Sequence, residues 1–145
     1  MSSDAAPGLL RLEVRELDHI VLRCADVTTT LDWYCDVLGL EEVRVDEWRR
    51  GEVLFPSARI NEGTSIDFIP ADWSPGAAPV GVGGHLDHLC LTLAPFDADA
   101  LVAGGRFRVH EGPSVRFGAR GEATSVYVLD PDDTVVELRC YPAGD

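Results

Sequence analysis

Two histidines and two carboxylates recur at matched places in this chain. His19 lies in "LDHIVL", residues 17–22, and His88 in "LDHLCL", residues 86–91. The two histidines are 69 positions apart. Asp67 lies in "IDF" and Glu137 in "VEL", and these carboxylates are 70 positions apart. Neutral imidazole and ionised carboxylate are ligands for divalent Zn, Ni, Co, Mn or Fe(II). A site that leaves one or two positions open to substrate is catalytic rather than structural. A carboxylate in a cleft is costly without a cation, and a bound metal removes that cost. One histidine at a strand start is more often a surface or hydrogen-bonded residue than a ligand. The repeated "LDH", with carboxylates at matched offsets, moves the balance toward a metal site.

Such a site needs elements that place all four side chains on one kind of surface. Residues 9–24 read as strand and 27–39 as helix, with Asp26 as N-cap and Gly39 as stop. Strand-like runs follow at 41–48, 52–60 and 64–70. Residues 71–84, "ADWSPGAAPVGVGG", have the composition of a linker. The order then starts again. Strand is expected at 86–93, helix at 96–105, strand at 106–110 and 114–117, a loop at 117–122, and strands at 124–130 and 134–141. The pattern is βαβββ, linker, βαβββ, and the matched offsets identify it as an internal duplication. The expected class is α+β, with two tandem βαβββ modules forming a curved mixed-sheet cleft. The expected divisions are an N-terminal arm (1–16), a first module (17–70), the linker (71–84) and a second module (85–145), within one structural domain.

Side chains alternate faces along a strand. Ile20, Leu22 and Cys24 form an apolar face for the helix, and His19, Val21 and Arg23 form the other. The same parity puts Asp67, His88, Glu137 and Arg139 on faces away from the helices. Asp18 and Asp87 fall on the helix-facing parity and read as strand-start structure rather than ligands. Arg23 and Arg139 either hold an anionic substrate group or pair with acidic residues at the strand ends. Tyr127 lines either the pocket or the core. His85 reads as a loop residue, and His110 as a residue near a strand end that could line the pocket. Among Trp33, Trp48 and Trp73, the last is the best pocket candidate.

Composition narrows the partners. With 25 acidic and 12 basic residues the net charge is −13, which argues against a nucleic-acid or anionic-membrane surface. All basic residues are arginine. The cysteines at 24, 35, 90 and 140 show no CxxC pairing and the sequence reads as lacking a signal peptide, so no disulfide framework is expected. No stretch approaches the roughly 18 apolar residues of a membrane span. The expectation is a reduced, soluble, cytoplasmic protein that acts on a small molecule.

Three stretches of the chain resemble the vicinal oxygen chelate superfamily of glyoxalases, bleomycin-resistance proteins and extradiol dioxygenases. "LDHIVLRCADVTTTLDWYCDVLGLE" resembles the family's first strand and its helix ending "FYxxxLGxE". "HLDHLCLTL" resembles the start of the second module. "SVYVLDPDDTVVELRCY" resembles the closing "xYxxDPDGNxxEL" hairpin, with Asp133-Thr134 where Gly-Asn is usual. The segment 109–133 looks most like small bacterial glyoxalase-domain proteins. The resemblance implies metal ligands at His19, His88 and Glu137. It puts the fourth family position, usually Glu or Gln, on the shorter Asp67. It also implies a divalent metal cofactor and a cleft formed within one chain or across two. Exposed sheet edges and paired modules predict a homodimer. The leading activity is a metal-dependent glyoxalase-like lyase or isomerase, with Glu137 as ligand and candidate base and Asp67 as second carboxylate. The first alternative is an Fe(II) extradiol-type ring-cleaving dioxygenase, for which His19, His88 and Glu137 suffice. The second is an antibiotic-binding or antibiotic-modifying resistance protein.

Overall fold

Each half of the chain builds one four-stranded sheet. The computed structural model describes residues 11, 13, 15–73 and 86–142. In the first half β1 (His19–Cys24) leads into α1 (Val27–Asp32), which continues as a wider π turn over Trp33–Val37. The Asp26 carboxylate accepts the Thr29 N–H at 3.2 Å and caps α1, as its position predicts. Leu31 and Tyr34 are fully buried on one stripe. Gly39 stops the helix at φ +96°, a conformation that suits glycine. Then come β2 (Glu41–Val43), α2 (Val45–Arg49), β3 (Ser57–Asn61) and β4 (Thr64–Pro70). A 3-10 turn at Ala71–Trp73 begins the expected linker, and residues 74–84 of it lie outside the described residues.

The second half repeats the order with β5 (Leu89–Thr92), α3 (Ala98–Ala103), β6 (Arg108–Gly118), β7 (Gly121–Leu129) and β8 (Val135–Cys140). The Asp97 carboxylate caps α3 through the Ala100 N–H at 3.0 Å. Strand order is β1-β4-β3-β2 in one sheet and β5-β8-β7-β6 in the other. The first pair of each, β1 with β4 and β5 with β8, is parallel, and the remaining pairs are antiparallel. The duplication extends to register. Val21 stands opposite Asp67, and Cys90 stands opposite Glu137. Each carboxylate is therefore in register with the second residue after its own module's histidine.

Five local expectations differ from the structure. The strand expected over 9–24 is observed as His19–Cys24, and residues 15–18 before it are not in a strand. The run 41–48 is not one strand. Arg44 adopts φ 58°, which ends β2, and Val45 and Trp48 then turn to the core at helical i,i+3 spacing. The strand expected over 52–60 is confined to its end, because Pro56 enters the sheet only through its carbonyl, which accepts the Phe68 N–H. The two short strands around "EGP" are one strand, β6, interrupted by bulges near Gly112. Gly112 has φ +100°, and a Cβ there would lie 2.7 Å from the Ser125 carbonyl. The expected loop 117–122 is a tight hairpin in which Gly118 pairs with Gly121.

The helix-facing sides of both sheets share one apolar core. Leu22, Ile66 and Phe68 of the first sheet join Leu91, Val126, Val136 and Leu138 of the second in it. Segment α1 and the π turn that follows it tie the halves together. Tyr34 donates to Asp130 Oδ2 at 2.8 Å, Thr30 donates to Asp132 Oδ2 at 2.8 Å, and the rings of Trp33 and Phe107 meet edge-on. With the helix-facing sides turned inward, strand alternation turns both polar faces away from the shared core. Among the described residues no helix is long and apolar enough to cross a membrane.

Candidate functional site

The candidate ligands meet in two pairs, one on the polar face of each sheet. In the first pair His19 Nε2 stands 3.9 Å from Asp67 Oδ2. The other Asp67 oxygen, Oδ1, accepts a 2.6 Å hydrogen bond from Ser57, its cross-strand neighbour. In the second pair His88 Nε2 stands 3.1 Å from Glu137 Oε1. The other Glu137 oxygen, Oε2, accepts from Ser125 at 2.6 Å and from Arg139 Nη1 at 2.8 Å. Both carboxylates thus keep one oxygen on a serine and turn the other to an imidazole.

The remaining imidazole nitrogens are also engaged. His19 Nδ1 lies 2.7 Å from Asp18 Oδ2, and His88 Nδ1 lies 2.7 Å from Asp87 Oδ2. Strand parity assigns Asp18 and Asp87 to the core side. They instead lie exposed, with their carboxylates turned onto the rings. Parity fails there because β1 starts at His19 and β5 at Leu89, so neither aspartate has the pleat of a strand. The repeated "DH" is the signal that could have identified them.

The electrostatics of the pairs differ. His19 is raised above 6.5, first by the hydrogen bond to Asp18 and then by the Asp67 charge. Burial opposes ionisation of Glu137, but the hydrogen bonds from Ser125 and Arg139 and the Arg139 charge outweigh it and hold the carboxyl below its ordinary 4.5. Tyr127 sits edge-on to the His88 ring, with centroids 5.6 Å apart. Burial and the Glu137 charge push its hydroxyl up. Cys90 shares this face, and burial and the Glu137 charge push its thiol up to about 11.

The arginines take different places. Arg139 is buried, and Nη2 donates to the carbonyls of Arg116 and Gly121. This arginine is engaged by Glu137 and the strand backbone. Its Nε is buried without a hydrogen-bond partner. Arg23 lies on the His19 face of β1, in register with Ile69. Ile69 is also the position in β4 that matches Arg139, so the first pair lacks this cation. His110 is exposed on β6, and Trp73 is exposed after β4. Trp33 and Trp48 pack against the core. His85 lies outside the described residues.

Among the described residues, no group of three or more His, Cys, Asp or Glu side chains is gathered to hold a metal ion. Each pair nevertheless has the donor chemistry of half a site. Nitrogen and oxygen ligands each about 2.1 Å from a metal, at a right angle, lie about 3.0 Å apart. The His88–Glu137 separation of 3.1 Å fits that spacing, and the His19–Asp67 separation of 3.9 Å is wider.

Comparison with known proteins agrees with this architecture. Residues 16–138 match the family model described as Glyoxalase/Bleomycin resistance protein/Dioxygenase superfamily. The chain is 30% identical over 136 residues to Virulence protein STM3117 of Salmonella typhimurium, covering 91% of this chain and 88% of that protein. It is 37% identical over 135 residues to Glyoxalase domain-containing protein RDO1 of Mycosarcoma maydis, covering 90% of this chain and 71% of that protein. A crystal structure of a glyoxalase/dioxygenase from Nostoc punctiforme superposes with a TM-score of 0.68 at 25% identity, covering 98% of this chain and 99% of that one. By sequence and by fold, the chain belongs to the glyoxalase/bleomycin resistance protein/dioxygenase superfamily.

Proposed function

We propose that this protein is a metal-dependent lyase or isomerase of the glyoxalase type, acting on a small oxygen-chelating substrate. The observation that carries the reading is the His88–Glu137 pair. Its 3.1 Å separation matches two adjacent ligand positions, and both residues have their other polar atoms held by neighbours. His19 and Asp67 form the matching pair on the other sheet.

The complete site is made by two chains. His19 and Asp67 of one protomer face His88 and Glu137 of a second copy, and a symmetric dimer holds two such sites. Two observations support this. The polar faces turn away from the core that joins the sheets within one chain. The strands that carry or follow the histidines, β1 and β5, are the outermost of their sheets.

The chemistry a divalent metal supplies there is Lewis-acid stabilisation of negative charge developing on neighbouring substrate oxygens. The chain's own residues divide the remaining work. Glu137, hydrogen-bonded by Arg139 and Ser125, is a poor base and acts as ligand. Asp67, whose far oxygen accepts from Ser57, moves the proton. Tyr127 stands edge-on beside His88, where it would flank a bound substrate.

The test is metal analysis of protein purified without chelator, followed by reconstitution. Stoichiometric metal, lost in His19→Ala and Glu137→Gln, is expected. Protein without metal that also fails to take it up sinks the enzyme reading. Conversion of methylglyoxal–thiol adducts without oxygen uptake supports the lyase or isomerase. Oxygen uptake with catechols assigns the site to ring cleavage instead.

A further inference from the structure

We propose that Asp18 and Asp87 are positioning residues that hold His19 and His88 with the proton on Nδ1 and the Nε2 lone pair directed at the site. The inference deepens the metal reading above and rests on it. The central observation is a repeated geometry. In both modules, Oδ2 of the preceding aspartate lies 2.7 Å from Nδ1. The backbones around the two pairs differ, since His19 is within β1 and His88 precedes β5. The same contact therefore arises twice in different local settings.

Stability does not explain the repetition. The side chains of Asp18 and Asp87 are 86% and 95% exposed, and a polar contact that open to water contributes little to folding. Orientation does explain it. A carboxylate accepts, so Nδ1 must donate. A neutral imidazole has one N–H, which Asp18 or Asp87 draws to Nδ1 in competition with Asp67 or Glu137 at Nε2; donation from Nδ1 leaves the Nε2 lone pair free for a metal. The same contact sets the rotation of the ring, and Nε2 then faces Asp67 in one module and Glu137 in the other. A carboxylate behind a metal-bound imidazole also raises the ligand's basicity.

The aspartate of the first module is itself anchored. The Ser65 N–H donates to the Asp18 carbonyl at 3.1 Å, and the Thr64 hydroxyl donates to the Leu17 carbonyl at 2.6 Å. The residues before His19 are thus tied to β4, the strand that carries Asp67. Ligand, partner carboxylate and orienting carboxylate share one rigid frame.

Two measurements on the full chain test the proposal. The first is nitrogen-15 NMR of the imidazoles in metal-free protein, at a pH where they are neutral. Wild type is expected to show a larger Nδ1–H share at His19 and His88 than the alanine variants, since Asp67 and Glu137 compete for the proton at Nε2. Asp18→Ala and Asp87→Ala are expected to shift the affected ring toward Nε2–H, the form favoured by free imidazole. The second is zinc affinity by calorimetry. Each alanine variant is expected to bind about 10–100-fold more weakly. Asp18→Asn and Asp87→Asn should recover part of the loss, since the amide oxygen still accepts. Asp99→Ala, an exposed carboxylate on α3, controls for a lost negative charge. Both positions are exposed, so the variants are expected to fold. Unchanged tautomers in the alanine variants overturn the proposal, as does zinc binding as tight as wild type. Wild type that binds no zinc defeats the metal reading, and the NMR result then decides the orienting role by itself.

Discussion

Glu137 and Arg139 stand two residues apart on β8, joined by a 2.8 Å hydrogen bond, with side chains only 6% and 3% exposed. An isolated buried charge is far costlier than a paired one, so each residue depends on the other. Arg139→Met is expected to destabilise the fold by about 3 kcal/mol, the low end for breaking a buried pair. Adding Glu137→Gln in the same chain is expected to restore part of that loss. Urea denaturation of the two single variants and the double variant measures it. Strictly additive losses would show that the pair is not coupled.

Glu137 also controls its neighbour Cys90, which stands opposite it in the sheet. The thiol is pushed up to about 11 by burial and by the Glu137 charge, so little thiolate is present at neutral pH. Alkylation of Cys90 is expected to be slow in wild type. It should speed up in Glu137→Gln, where the negative charge is gone. Mass-spectrometric rates at Cys90 provide the check, and an unchanged rate in the variant contradicts the proposed control.

The contact between Tyr34 and Asp130 has a pH signature. Burial raises the Asp130 carboxyl above its ordinary 3.8, against the hydrogen bonds from Thr134, Tyr34 and Asp132. The folded chain therefore holds this proton more tightly than the unfolded chain, and unfolding releases it. The stability linked to that proton is fully present below 3.8 and is lost as pH rises through the higher folded value. Asp130→Asn removes this titration. It is expected to be less stable than wild type, with a gap that narrows as pH rises from acid toward neutral. Tyr34→Phe leaves a buried carboxylate oxygen without its donor and should cost about 1–3 kcal/mol. Thermal unfolding across the acid range tests both.

A site shared between two chains predicts complementation. His19→Ala and His88→Ala homodimers each have both sites broken. A heterodimer of the two has one site with both defects and one site with none. Refolding the variants together is expected to return about a quarter of the wild-type metal, because half of the dimers are mixed and each holds one intact site. Sites within single chains would recover nothing on mixing.

The duplication, the parity of the strands and the identity of the facing residues were legible in the sequence. Each depends on short-range geometry. The alternation of Ile20, Leu22 and Cys24 against His19, Val21 and Arg23 follows from the pleat, and the burial of β1 repeats it. Asp26 and Gly39 bound the first helix because capping needs only a few neighbouring residues. The same locality explains the misreadings. "EEVRVDEW" alternates well enough for a strand, but Val45 and Trp48 are needed in the core together, and a helical turn delivers both.

From sequence alone, the chain has two copies of one module, and each brings an imidazole and a carboxylate to a sheet face. Matched spacing determined that, because strand register repeats wherever the same pattern repeats. Only the tertiary structure decided which groups meet. It paired His19 with Asp67 and His88 with Glu137, and it turned Asp18 and Asp87 onto their rings. It placed Arg139 behind Glu137 and left Ile69 at the matching position behind Asp67. The physical reason is that the sheets pack through their apolar sides, which orients the polar faces. No local pattern encodes that packing, since it depends on contacts such as Tyr34 with Asp130, made between residues distant in the chain.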